Sequence, residues 1–160
     1  NKSIDIKLNV AAEYLLNDHF VELLNRKEIL TLKDNYVLVE MSYINPPIQL
    51  YDILFKLQVA GYKPILAHPE RYTFFHKSTE DYKKLKKHGC LFQLNLLSTV
   101  GYYGSEVMKV SNLLLSEGLF DFVGSDVHHE QHVKAFSNKV LIKDLKALTD
   151  VISNNQFFTF

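Results

Sequence analysis

Five apolar, strand-like runs along the chain each stop on a side chain suited to metal binding or catalysis. They are IKLNVAAE at Glu13, YVLVE at Glu40, PILAH at His68, LFQLN at Asn95, and FDFVGSDVH at Asp126 and His128. Helix-like stretches separate them, and alternation of this kind argues a parallel sheet with crossover helices. In a parallel α/β barrel every strand aims its C-terminal end at one face. Residues far apart in sequence then meet there on loops held by a rigid wall. The pattern predicts an α/β protein with one clustered site.

The elements follow from period and punctuation. Residues 4–12 alternate Ile4, Ile6, Leu8 and Val10, which predicts a strand with one buried face. Asn17 or Asp18 can cap a short helix with Phe20, Leu23 and Leu24 on one side. Tyr36 opens a buried strand, and Pro46 and Pro47 are expected in the first turn of the next helix, where proline is tolerated. That helix continues through Leu50, Ile53, Leu54, Leu57 and Ala60 until Gly61. KPILAH reads as a strand, STEDYKKLKKHG as a helix closed by Gly89, LFQLNL as a strand and SEVMKVSNLLLSEG as a helix ending at Gly118. FDFVGS is the last strand. HVKAF predicts a short helix, and LIKDLKALTDVIS an amphipathic one with Leu141, Leu145, Leu148 and Ile152 on its apolar face.

Composition sets the limits. The 160 residues contain no repeat, low-complexity tract or long polar linker, so residues 1–160 are expected to form a single domain, 47% hydrophobic and able to bury a core. Eighteen basic residues balance eighteen acidic ones, so no net field favours nucleic acid or a membrane surface. The single cysteine, Cys90, cannot form an internal disulfide. No run is long and apolar enough to insert in a membrane, and NKSIDIKLNV lacks the basic and apolar regions of a signal peptide. The expected location is the cytoplasm.

The chemistry resides in the strand-end residues. Hard or borderline divalent metals take carboxylate oxygen and imidazole nitrogen, and a catalytic site keeps a position for water or substrate. Glu13, Glu40, His68, Asp126 and His128 supply that set from four strand ends. Singly, each is more often a salt-bridged, solvated or hydrogen-bonded residue than a ligand. Together they favour a metal centre, and Asp126-x-His128 is the sharpest part because its spacing can turn two donors to one ion. His129 and His132 read as neighbouring surface or supporting residues. Arg71, three residues past His68, can reach an anion held at such a centre by bidentate contacts, or else pairs with Glu70 or another carboxylate. Cys90 is followed by LFQLN, so no C-x5-R phosphatase loop is present.

ILAHPERY, FQLNLLSTVGYYG, the GL before FDFVGSDVHH, and AAEY with LVEMS upstream resemble the bacterial tyrosine-protein phosphatases of the polymerase and histidinol phosphatase (PHP) superfamily, which accompany capsular or exopolysaccharide synthesis. The resemblance implies a distorted (βα)7 TIM-like barrel and up to three divalent ions, manganese foremost. It also implies hydrolysis of phosphotyrosine on a partner tyrosine kinase, by water rather than by a cysteine nucleophile. Carried over by motif, Glu13, Glu40, His68, Asp126 and His128 would be metal ligands. Arg71 would bind phosphate, His128 could assist the leaving group, and Asn95 would form part of the site wall. The family's opening HxH strand and the HxxxGxDDG-like loop after it have no counterpart in residues 1–12. The barrel is therefore expected to be incomplete, with this chain its C-terminal two-thirds. Many members also carry an arginine soon after the Asp-x-His pair, where this chain has Gln131, His132 and Lys134. Two alternatives stand beside this reading. One is a small-molecule phosphoesterase of the histidinol-phosphate type. The other is a truncated, non-catalytic binding module whose exposed sheet edge invites pairing with another chain, and hence an oligomer.

Overall fold

The computed structural model describes residues 7–159. Its framework is a five-stranded, fully parallel sheet in the order β1-β2-β3-β4-β5. The strands are β1 (Glu13–Leu15), β2 (Tyr36–Glu40), β3 (Lys63–Ala67), β4 (Leu91–Asn95) and β5 (Phe122–Gly124). Between and after them lie α1 (Asp18–Arg26), α2 (Leu50–Val59), α3 (Thr79–Lys87), α4 (Ser105–Ser116), α5 (Glu130–Ala135) and α6 (Leu145–Asn154). Strand order equals chain order, so each crossover moves the same way across the sheet. With right-handed crossovers this stacks the helices on one face.

That face is visible in the packing. Val37 and Val39 of β2, Leu66 of β3, Phe92 and Leu94 of β4 and Val123 of β5 share one buried cluster with helix residues such as Phe20, Leu54, Leu57, Leu85 and Leu114. Side chains alternate along a strand. The register therefore puts Glu13, Glu40, Ala67, Gln93, Asn95 and Gly124 on the opposite face. At Gly124 a Cβ would come within 2.5 Å of Gln93 Oε1, so any larger residue there would have to displace the Gln93 amide.

Several expectations on local structure hold. Asn17 caps α1 by accepting from the Phe20 N–H at 2.9 Å. Gly61 and Gly89 follow α2 and α3 at positive φ, where an L side chain would be strained.

Others are corrected. Residues 7–12 form no strand; Leu8 and Val10 are 89% and 84% exposed, and β1 begins only at Glu13. Ile4 and Ile6 lie outside the described residues. Pro46 and Pro47 precede the helix instead of opening it. A turn closed by Leu50 N–H to Pro47 O comes between, and α2 starts at Leu50. In α6 the buried residues are Leu148 and Val151, while Leu145 and Ile152 point outward. The face packed on β5 is thus rotated from the one the leucine spacing suggests.

A 3₁₀ turn, Asn155–Phe158, closes the end of the sheet where the strands begin. Phe157 and Phe158 pack on Tyr36 and Phe122 with ring centroids 4.7 and 4.8 Å apart in the nearest pairs. The Asn155 side chain pairs with both the N–H and the C=O of Val123, at 3.0 and 2.9 Å. With this end closed, the opposite end of the sheet is left for function.

Candidate metal and phosphate site

The six residues expected at strand ends gather at that opposite end, although Glu13 opens β1 and does not close it. Glu13, Glu40, His68, Arg71, Asp126 and His128 line one cavity of about 460 Å³, together with Tyr43, Tyr103 and His132. Asn95 lies beside it, 2% exposed. A wider cleft of about 620 Å³ outside α1 and α2, lined by Leu24, Lys27, Phe55, Lys56 and Val59, contains no carboxylate or imidazole. Donor chemistry selects the smaller cavity.

Its centre is His68. The ring is buried, and Nε2 lies 3.2 Å from Glu13 Oε1, 3.7 Å from Glu40 Oε2 and 3.3 Å from the Tyr43 hydroxyl. Ligand atoms of Glu13, Glu40 and His68 all fall within 4.8 Å of one another. One imidazole nitrogen with two carboxylates is a donor set that divalent cations accept. The local electrostatics fit the same group. Burial raises the Glu40 carboxyl above its ordinary value, and the neighbouring Glu13 charge raises it further. A bound cation would relieve both effects. Buried Nδ1 of His68 has no hydrogen-bond partner among the described residues.

Asp126 and His128 share the cavity but stand apart from that cluster. Asp126 Oδ2 accepts from Arg71 and from Asn95 Nδ2, at 2.9 and 2.8 Å. His128 is exposed, and its Nδ1 lies 3.3 Å from Asp126 Oδ1. Arg71 therefore pairs with Asp126 and not with the adjacent Glu70. His68 and Asp126 both hold positive φ, 37° and 48°, each turning the chain sharply where a strand delivers it to the site.

Two contributors, Glu70 and Tyr43, were not legible in the sequence, and Tyr103 and His132 complete the surround. Glu70 is fully buried; its Oε1 accepts from the Asn95 N–H at 3.0 Å and the Ser98 hydroxyl at 2.7 Å. Burial raises its carboxyl, and the Ser98 hydrogen bond opposes the shift. This carboxyl ties the loop bearing His68 and Arg71 to the start of the turn Leu96–Val100. Tyr43 and Tyr103 flank Arg71, its guanidinium carbon 4.8 and 4.0 Å from their ring centroids. His132 is buried and accepts from the His128 N–H at 3.3 Å, fixing the turn after Asp126. For Glu70 the sequence signal would have been a charged residue inside an apolar, aromatic segment, but burial is invisible before folding.

Comparison with known proteins follows from this geometry. CapC from Staphylococcus aureus is 30% identical over 146 residues, 91% of this chain and 57% of that protein. The tyrosine-protein phosphatase YwqE of Bacillus subtilis is 30% identical over 107 residues, covering 66% of this chain and 42% of YwqE. The tyrosine-protein phosphatase CpsB of Streptococcus pneumoniae is 29% identical over 131 residues, 78% of this chain and 54% of CpsB. The chain thus spans about half the length of these relatives. A solved structure from a study of YwqE and CpsB, described there as metal-dependent tyrosine phosphatases, superimposes with a TM-score of 0.71 at 25% identity. It covers 88% of this chain and 56% of that one. The family model for capsular polysaccharide synthesis, CpsB/CapC, matches residues 1–141, and the chain belongs to that family.

Proposed function

We propose that this chain carries the site of a metal-dependent protein-tyrosine phosphatase acting in capsular or exopolysaccharide synthesis. The observation that carries the reading is the convergence of Glu13, Glu40 and His68 beside Arg71 in one cavity. Its relatives YwqE and CpsB are named tyrosine-protein phosphatases, which supports the substrate class. Glu13, Glu40 and His68 would hold a divalent ion, with Asp126 and His128 completing a site for further ions; manganese is the ion proposed. Bound metal would supply an activated water and neutralise phosphate charge. Arg71 would bind the phosphoryl oxygens and stabilise charge that develops on them. His128, exposed in the same cavity, would hand a proton to the leaving phenolate. Asn95 acts through Asp126, which it fixes by a hydrogen bond.

The partner proposed is a phosphotyrosine-bearing tyrosine kinase in the cytoplasm. A buried free thiol suits a reducing compartment, and among the described residues no helix is long and apolar enough to cross a membrane. The unreversed strand order supports placing the sheet within a distorted (βα)7 barrel. The test is hydrolysis of a phosphotyrosine peptide by the chain with manganese. Arg71→Ala is expected to lower turnover by roughly 10–100-fold, the worth of a charged hydrogen-bonding contact, with bound metal unchanged. Unaltered turnover would remove Arg71 from the site. Stoichiometric metal without any turnover would refute the phosphatase reading for this chain.

A further inference from the structure

We propose that Tyr43 and Tyr103 are the specificity-determining residues of this site, making it select aryl over alkyl phosphate esters. The inference rests on the phosphoester reading above. The cavity has a charged floor, made by Glu13, Glu40, His68, Arg71 and Asp126, and an aromatic rim. The rim rings come from unrelated segments. Tyr43 sits in the loop after β2, and Tyr103 in the turn that follows residues 96–100. Both approach the same guanidinium, so a group bound to Arg71 has a ring on either flank.

Each ring is held in place by its own contacts. Tyr43 stacks on His68 at 5.6 Å and 24° and packs against Tyr72 at 5.7 Å. Tyr103 takes Tyr102 edge-on at 5.1 Å, and its hydroxyl accepts from Asn95 Nδ2 at 3.3 Å. Ile44 and Val127, next in sequence to the lining residues Tyr43 and Asp126, are 86% and 43% exposed. A small alkyl phosphate would use only the floor. A phenyl ester puts its phosphate on Arg71 and its ring against the tyrosines, gaining aromatic contact and apolar burial. Pre-set rings lose little freedom on binding, so the gain is retained.

The experiment compares phenylphosphonate with methylphosphonate, two anions that are not hydrolysed, binding to the whole chain with saturating manganese in calorimetry. Wild type is expected to favour the phenyl compound by about tenfold, the size of one good aromatic contact. Tyr43→Phe and Tyr103→Phe keep the rings and should keep the ratio. Tyr43→Leu and Tyr103→Leu should each bring it to within about threefold. Loosening Arg71 alone weakens both phosphonates alike and leaves the ratio untouched, which separates specificity from mere support. A wild type without preference, or leucine variants with the wild-type ratio, would overturn the inference while sparing the phosphoester reading. Failure of both phosphonates to bind would overturn that reading and the inference with it.

Discussion

Asn95→Asp tests the site's internal wiring through one atom. In the native protein Asn95 Nδ2 donates to Asp126 Oδ2 at 2.8 Å, within a residue that is 2% exposed. The variant replaces that donor by a carboxylate facing a carboxylate. Two unit charges about 4 Å apart at an effective dielectric of about 20 repel by roughly 4 kcal/mol, and the lost hydrogen bond to a charged acceptor adds about 1.5–3 kcal/mol. Arg71, 2.9 Å from the same oxygen, offsets part of this. The net expected loss is about 3–5 kcal/mol of folding stability at pH 8 in chelator. Repulsion makes the new pair of carboxyls hold one proton more readily in the folded state than in the unfolded one. A raised carboxyl favours the folded state at low pH, and that contribution is lost as pH rises through the folded value. The deficit should therefore shrink to about 1–2 kcal/mol at pH 5, where the pair retains one proton. Urea unfolding of wild type and variant at both pH values measures it. An equal deficit at pH 8 and pH 5 would mean that the two side chains do not face each other as described.

Two further outcomes follow from burial and charge. Burial pushes the Cys90 thiol up to about 12, so folded protein should resist a thiol-disulfide reagent near pH 8, and unfolded protein should react with one equivalent; prompt labelling of the native state would contradict the packing. Protons compete with metal for the raised Glu40 carboxyl, so manganese affinity should weaken steadily on acidification, with proton release on binding visible when buffers of different ionisation heat are compared; a pH-independent affinity would remove Glu40 from the ligand set.

Strand ends were the legible part of this molecule. YVLVE, KPILA and LFQLN carry their own boundaries, since β-branched and apolar content begins and ends sharply, and the glycines after the helices mark the returns. The residue types at those ends then announce the site, because a parallel sheet sends them all one way. Residues 7–12 misled for the complementary reason. Alternation reports a strand only where a neighbour buries one face, and Leu8 and Val10 have none among the described residues. In α6 the leucine spacing was real, but which stripe is buried depends on how the helix meets β5. Glu70 and Tyr43 stayed hidden because each acts across loops: Glu70 on Asn95 and Ser98, Tyr43 on Arg71. Local patterning cannot encode such meetings.

The positive φ angles at His68 and Asp126 set this chain's function against its own stability. A left-handed backbone costs an ordinary residue about 1–2 kcal/mol, aspartate somewhat less than histidine and glycine almost nothing. Mutational drift judged by stability alone would thus carry both positions toward glycine. Among descendants of such a gene, a glycine after the third strand would be an early sign that selection for chemistry had lapsed, even where the sheet and its core had grown sturdier.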